Sequence, residues 1–202
     1  IYLALRDRNT VLSGLTGQLV QPCSLVGEDR SEMIGVGLVA GNYFDVLGVG
    51  VHAGRLLTPE DDKHRNGHPV AVLQYDFWRN RFAGKPEVVG STIRLNGSPF
   101  TVIGISAPGF EGTDLGLPTH VWVPVMMQPQ ILPGGDRLEA RGLRWLEGMA
   151  RLKPGVSIQS AQSDLEAIGH RLIAAYPRSN EGFTPSVLPL SKSPWGAQLV
   201  LG

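Results

Sequence analysis

Glu60, Asp61, Asp62, His64 and His68 form the densest set of metal-ligating side chains in the sequence. Two histidines four residues apart hold one ion when a helix turns both to the same face. Here Asn66-Gly67 stands between them, and that dipeptide breaks a helix. The run therefore reads as a solvated acidic helix start, Thr58-Pro59-Glu60-Asp61-Asp62, followed by a polar loop over 63–68. Ser106, His120 and Asp114 supply the residue types of a nucleophile, a base and an orienting acid, but no Gly-x-Ser-x-Gly elbow presents the serine. Gly35-x-Gly37 has two glycines of a dinucleotide loop, without the third and without a helix to receive a pyrophosphate. Asn96-Gly97-Ser98 matches a glycosylation acceptor, yet Asn-Gly between two alternating runs is already explained as a hairpin turn. Cys23 is the lone cysteine, which excludes an intramolecular disulfide and a Cys-rich zinc site. It reads as a small apolar residue rather than a nucleophile. No His-Glu-x-x-His, Cys-x-x-Cys, EF-hand or Walker A pattern occurs. The expectation is a protein that is not an enzyme, with no catalytic, cofactor-binding or metal-binding residue.

Composition narrows the alternatives. Lys+Arg and Asp+Glu are 18 each, so the formal net charge is zero. Nucleic-acid binders carry a basic excess, so no nucleic-acid partner is expected. With 202 residues, 42% of them hydrophobic, the chain can bury a core of one large domain or two small ones. Gly (26) and Pro (15) point to many turns and much β-structure. No run approaches the roughly 20 apolar residues of a membrane span, and no signal peptide opens the chain. Starting at Ile1 without Met, it reads as a piece of a longer protein whose targeting signals and spans lie outside it.

The elements follow from periodicity and punctuation. Residues 1–12 read as a short helix that Gly14 stops. Leu15–Val26, with a weak break at Gln21-Pro22, and Met33–Ala40 read as strands joined by a turn at Glu28-Asp29-Arg30. Gly41–Gly48 reads as a helix of one or two turns, with Asn42 as N-cap and Gly48 as C-cap, too short to persist without burying Tyr43 and Phe44. Pro69–Leu73 is a strand. Tyr75–Phe82 is a helix whose Tyr75, Trp78 and Phe82 share a face, either as core or as the lining of an apolar pocket. Ser91–Leu95 and Phe100–Ile105 form a hairpin, His120–Val125 is a strand and 128–142 a loop. Arg144–Leu152 reads as a strand, and Ser157 caps a helix with Ile158, Ala161, Leu165, Ile168, Leu172 and Tyr176 on one face. Pro177 ends that helix, and Phe183–Leu190 reads as a last strand. The pattern predicts an α+β fold in two parts. Residues 1–55 and 140–202 form an α+β unit from both chain ends, and 56–139 form an inserted β-rich unit.

Several runs together resemble one family. They are GNYFDVLGV (41–49), GRLLTPEDD (54–62), HPVAVLQYDFWRNRFAG (68–84), VVGSTIRLNGSPFTVIGISAPGFEG (88–112), HVWVPVMMQP (120–129) and RWLEGMARLKPGVSIQSAQSDLEAI (144–168). In order and spacing they resemble the periplasmic core domain of MacB-like ABC permeases, most of all the permeases abundant in acidobacteria, which often occur without a fused ATPase. The resemblance implies a porter-like α+β subdomain interrupted by a sabre-like β-rich subdomain. It implies a place in the periplasm, between the first and second of four transmembrane helices of an inner-membrane protein. Residues 191–202, with Trp195 at the interface, would then lead into the second span. The partners implied are the transmembrane helices of the same chain, an ABC ATPase on the cytoplasmic side, a periplasmic adaptor, an outer-membrane channel and a second permease copy. The function implied is non-catalytic: coupling ATP-driven membrane motion to substrate or adaptor handling in the periplasm, with export of peptides, antibiotics, lipoproteins or toxins. The alternative is an interaction or signalling domain of a permease-like protein without transport. No cofactor and no site residue carry over.

Overall fold

The computed structural model describes residues 1–27, 30–114, 116–132, 134–140 and 142–192. The expected turn residues Glu28 and Asp29, and residues 193–202 with Trp195, lie outside the described residues. In chain order the elements are α1 (Tyr2–Arg8), β1 (Leu12–Val26), β2 (Ser31–Val39), α2 (Tyr43–Leu47), β3 (Val51–Gly54), β4 (Val70–Leu73), α3 (Tyr75–Arg81), β5 (Thr92–Leu95), β6 (Ser98–Ser106), β7 (Val121–Pro124), α4 (Gln128–Ile131), β8 (Glu147–Leu152), α5 (Ile158–Ala175) and α6 (Pro177–Asn180).

The eight strands of the described residues belong to one sheet. β1 pairs with β2, β2 with β7, β7 with β4, β4 with β6, β6 with β5, and β5 returns to β1, so six strands close into a ring. The β2–β7 and β4–β6 pairs are parallel and the other four antiparallel. Two long strands serve two neighbours along one edge. β1 holds β2 along one edge, and on the other it holds β8 up to Gln18↔Glu147 and β5 from Leu25↔Leu95. β6 holds β4 on one edge, and β5 then β3 on the other. No break in pairing marks residues 55/56, because β2 lies directly against β7.

Strand alternation sorts the core. One set of ring residues, among them Cys23, Leu25, Val36, Leu38, Leu73, Phe100, Val102, Val121 and Val123, forms the main apolar cluster, which Trp78 of α3 and Ile131 of α4 join. The alternate residues Val39, Val72 and Trp122 point the other way, into a second cluster with Tyr43, Phe44 and Leu57. A third cluster lies where the first half of β1 meets α1 and α5: Leu12, Leu15, Leu165, Ile168, Leu172 and Phe183.

The structure corrects several sequence expectations. The first helix ends at Arg8, not at Gly14, because Asn9 takes over its end: Nδ2 donates to Leu5 O (2.9 Å), and Oδ1 accepts from Leu12 N (2.8 Å) as β1 begins. β1 runs unbroken through Gln21-Pro22, since Pro22 lies on an edge position that needs no N–H. Pro59–Asp62 is a 3₁₀ turn rather than an α-helix. β3 was not expected: Val51–Gly54 is short and carries no alternation. Residues 128–142 are not wholly loop, since α4 opens them. Phe183–Leu190 is not a strand. This extended segment lies along α5, where Gln162 Nε2 donates to Pro185 O (2.8 Å) and Val187 N donates to Gln162 Oε1 (2.6 Å). A side-chain amide replaces the ladder that a strand would need. Among the described residues no helix is long and apolar enough to cross a membrane.

Candidate functional site

The family-like run 41–48 becomes a junction. Ala40 N donates to Gly17 O (2.9 Å) as β2 ends, and the chain then turns directly into α2. Gly41 has no room for a side chain, because a Cβ there would stand 2.5 Å from Thr58 O. Gly48 closes the helix in the left-handed region (φ 73°), and Val49 N returns to Phe44 O at 2.9 Å. Asn42, expected as the N-cap, makes no cap bond. Its Nδ2 donates to Leu15 O (3.0 Å) and ties α2 to β1. From the adjoining strand β8, where it pairs with Gly14, Arg151 donates from Nε to Val46 O (3.0 Å).

α2 packs by its aromatics. Phe44 is 1% exposed and meets Tyr43, Phe110 and Trp122 edge-on, at ring separations of 5.3, 6.1 and 5.4 Å. Tyr43 sits in a buried polar group: its hydroxyl donates to Gln18 Oε1 (3.0 Å) and contacts Thr113 Oγ1 (3.1 Å), which itself donates to Gln18 Oε1 (2.7 Å). Burial raises the Tyr43 phenol pKa, so the hydroxyl stays protonated and remains a donor. Gln18 Nε2 reaches on to Glu147 Oε2 (3.4 Å), whose carboxyl is shifted upward, chiefly by burial.

Two neighbouring carboxylates complete the junction. Asp61 Oδ2 accepts from Thr58 N (2.9 Å) and Thr58 Oγ1 (3.0 Å), while both carboxylate oxygens take the Arg55 guanidinium (2.7 and 2.8 Å). Burial opposes ionisation of Asp61, but the Arg55 and Thr58 donors outweigh it and hold its pKa below the usual range. Asp62 Oδ2 accepts from Gly41 N (3.1 Å) and Oδ1 from Met126 N (2.9 Å), so one carboxylate links the start of α2 to the segment after β7. Burial pushes its pKa up to about 6 against those two amide donors.

The residues singled out for chemistry do not assemble. Glu60 pairs with Lys63, Asp61 with Arg55, and Asp62 serves two amides. The His64 and His68 rings stand 6.4 Å apart, and no His/Cys/Asp/Glu group with metal-binding proximity occurs among the described residues. Ser106 Oγ is buried without a hydrogen-bond partner among the described residues, so no base faces it. His120 spends Nδ1 accepting from Gly35 N (3.0 Å), and Asp114 accepts from Gly116 N and Leu117 N. Gly35 and Gly37 lie inside β2. A Cβ on the first would stand 2.0 Å from Pro118 O, and on the second 2.8 Å from Trp122 Cδ1. Cys23 is buried, and burial pushes its thiol up to about 11. Asn96 uses its amide on Ile131 O (2.9 Å) and accepts from Ser24 N (2.9 Å), so the acceptor motif serves the fold. Trp78 is core, with Nε1 donating to Lys85 O (2.9 Å), and the half-buried Tyr75 and Phe82 pack on the same cluster. Sequence reading missed Gln18, Thr113 and Arg151. Gln18 sits in a strand with no local cue that its polar side chain points inward, and Arg151 finds Val46 over 105 residues.

Comparison with known proteins places this arrangement. The model of the MacB-like periplasmic core domain family matches residues 3–168. The macrolide export ATP-binding/permease protein MacB of Salmonella typhi, and that of Salmonella paratyphi A, are each 29% identical over 130 residues, 63% of this chain and 18% of theirs. Among solved structures, the periplasmic region of MacB from Actinobacillus actinomycetemcomitans superposes with a TM-score of 0.64 at 20% identity, over 89% of this chain and 76% of that one. The extracellular domain of the noncanonic ABC-type transporter YknZ from Gram-positive bacteria gives 0.63 at 16% identity, over 93% and 87%. At these identities the superpositions show the fold.

Proposed function

Because the chain belongs to the MacB-like periplasmic core domain family, we propose that it is the non-catalytic extracytoplasmic module of an ABC-type export permease of the inner membrane, passing ATP-driven motion of the membrane helices to the periplasmic side. The observation that carries this reading is the α2 junction. One short helix is tied to β1 through Asn42, to β8 through Arg151, and through Gly41 to Asp62, which also holds Met126. A displacement entering through α1, which packs on β1 and α5, then reaches the six-strand ring through several bonds at once. In this reading α1, the first half of β1, β8 and α5 act as the porter-like part. The segment 56–139 is the sabre-like part, with β1 and β2 shared between them. The working assembly is two permease copies with an ATPase below and an adaptor and outer-membrane channel above.

The test uses the full-length permease. A spin label at Met33→Cys, where the side chain is 68% exposed, reports the distance between two copies with and without ATP. The unreactive Cys23 stays silent. A nucleotide-dependent shift is expected, blunted by Asn42→Ala with Arg151→Ala while ATP hydrolysis persists. An inter-copy distance indifferent to nucleotide refutes the reading.

A further inference from the structure

Between Gln18, where β8 stops, and Leu25, where β5 starts, the outer edge of β1 has no strand of the described residues against it. The chain that returns from α4 lies beside this gap and is pinned there. Gln128, fully buried, accepts from Arg137 N (2.7 Å) and donates to Gly135 O (3.0 Å), and Trp145 Nε1 donates to Arg137 O (3.2 Å). What remains is a crevice of about 490 Å³, a size within the range of small-molecule sites.

Its walls have two characters. Leu19, Leu143, Trp145 and Leu146 are apolar, and Leu143 is 54% exposed. Arg137 and Arg144 contribute two cationic side chains to the lining, and Glu147 one acidic one. The Arg137 guanidinium has no hydrogen bond or ion pair among the described residues, whereas Arg144 rests over the Phe183 ring at 5.1 Å and donates from Nη2 to Glu181 O (3.4 Å). Glu147 is occupied by Gln18 Nε2. An unpartnered guanidinium beside an apolar wall is complementary to an anion carried on an apolar body.

The occupant is not a peptide strand. Val20, Pro22 and Ser24 face the open edge. Pro22 has no N–H, Val20 O already accepts from Gln21 Nε2 (3.0 Å), and both backbone groups of Ser24 are taken by Asn96. Strand addition has no ladder to extend. We infer that this crevice binds a small amphiphilic anion, a carboxylate or sulfonate on a hydrocarbon or aromatic body, with the head on Arg137 and Arg144 and the body along Leu19, Leu143 and Trp145. The inference stands on the crevice and is independent of the transport reading.

Decanoate, below its micelle concentration, is the probe. It is titrated into the 202-residue chain by calorimetry, and the Trp145 indole N–H is followed by NMR. The expected result is saturable binding of one decanoate per chain, with the shift centred on Trp145. Decyltrimethylammonium and decanol should bind at least tenfold more weakly. Arg137→Gln with Arg144→Gln should weaken decanoate at least tenfold. Leu143→Asp changes an exposed wall residue that the fold does not need, and should abolish binding with an unchanged melting temperature. The inference is overturned by no saturable binding, by equal binding of the cation or alcohol, by shifts centred away from Trp145, or by indifference to Leu143→Asp.

Discussion

Replacing Phe44 with alanine tests whether α2 is held by burial. A buried phenylalanine removes about 150–250 Å² from water, and truncating one typically costs about 3–5 kcal/mol including the cavity left behind. The upper half of that range is expected here. Phe44 is 1% exposed, its neighbours Tyr43 and Trp122 are fully buried, and Trp122 is shut in by β2 and β4. Three edge-on ring contacts, to Tyr43 at 5.3 Å, to Trp122 at 5.4 Å and to Phe110 at 6.1 Å, are lost as well. For a chain of this size the loss corresponds to a fall in Tm of roughly 12 °C. Chemical denaturation followed by far-UV circular dichroism measures it, and Leu47→Ala serves as the internal comparison. Leu47 lies on the same helix but is only partly buried against that cluster, so about 1 kcal/mol is expected. Equal costs at the two positions, or a Phe44→Ala variant within 1 kcal/mol of the native chain, would show that backbone ties and not aromatic burial hold α2, and the reasoning would fail.

Asp62 gives a pH signature. Its folded pKa, about 6, lies above the usual ~3.9 of an unfolded aspartate. Its contribution to stability is therefore complete below about pH 4 and is lost as pH rises through 6, a change of roughly 3 kcal/mol. Unfolding free energies at several pH values should show this slope in the native chain but not in Asp62→Asn, and parallel curves would contradict it. Trp78→Ala should cost about 3–5 kcal/mol, read as a thermal shift; a shift near zero would place Trp78 at the surface. Gly35→Ala should destabilise strongly, since its Cβ would stand 2.0 Å from Pro118 O, whereas Gly50→Ala, 3.6 Å from Ala107 Cβ, should stay within about 1 kcal/mol by the same denaturation assay.

The legible features were those whose cause is local. Ser157 caps α5 by accepting from Ser160 N (3.1 Å), Asn96-Gly97 turns β5 into β6, and Gly48 ends α2 in the left-handed region. The illegible features depend on distant partners. Asn42 has the chemistry of a cap, but Leu15 O from β1 takes its amide. Phe183–Leu190 has the apolar content of a strand, but α5 presents Gln162 before any strand edge does. Gln18 is polar within a strand, and its partners Tyr43, Thr113 and Glu147 all lie far along the chain. The α+β character and the family were readable for the same reason: both rest on runs of neighbouring residues. The ring rests on which strand finds which, and four of its six pairings, β2–β7, β7–β4, β4–β6 and β5–β1, are set by contacts across the chain.

The divided edge of β1 bears on how the chain comes to be folded. The last strand of the ring, β7, ends at Pro124, while β8 begins only at Glu147. During synthesis every partner needed to close the ring has therefore emerged before the partner of Leu12–Gln18 exists. The far half of β1 becomes ordered with the ring, and its near half waits with α1 for β8 and α5. Loop closure over such a separation is slow. For that interval the N-terminal end of β1 is an unpaired strand on a finished barrel, a segment that needs shelter from other nascent chains until the C-terminal elements arrive.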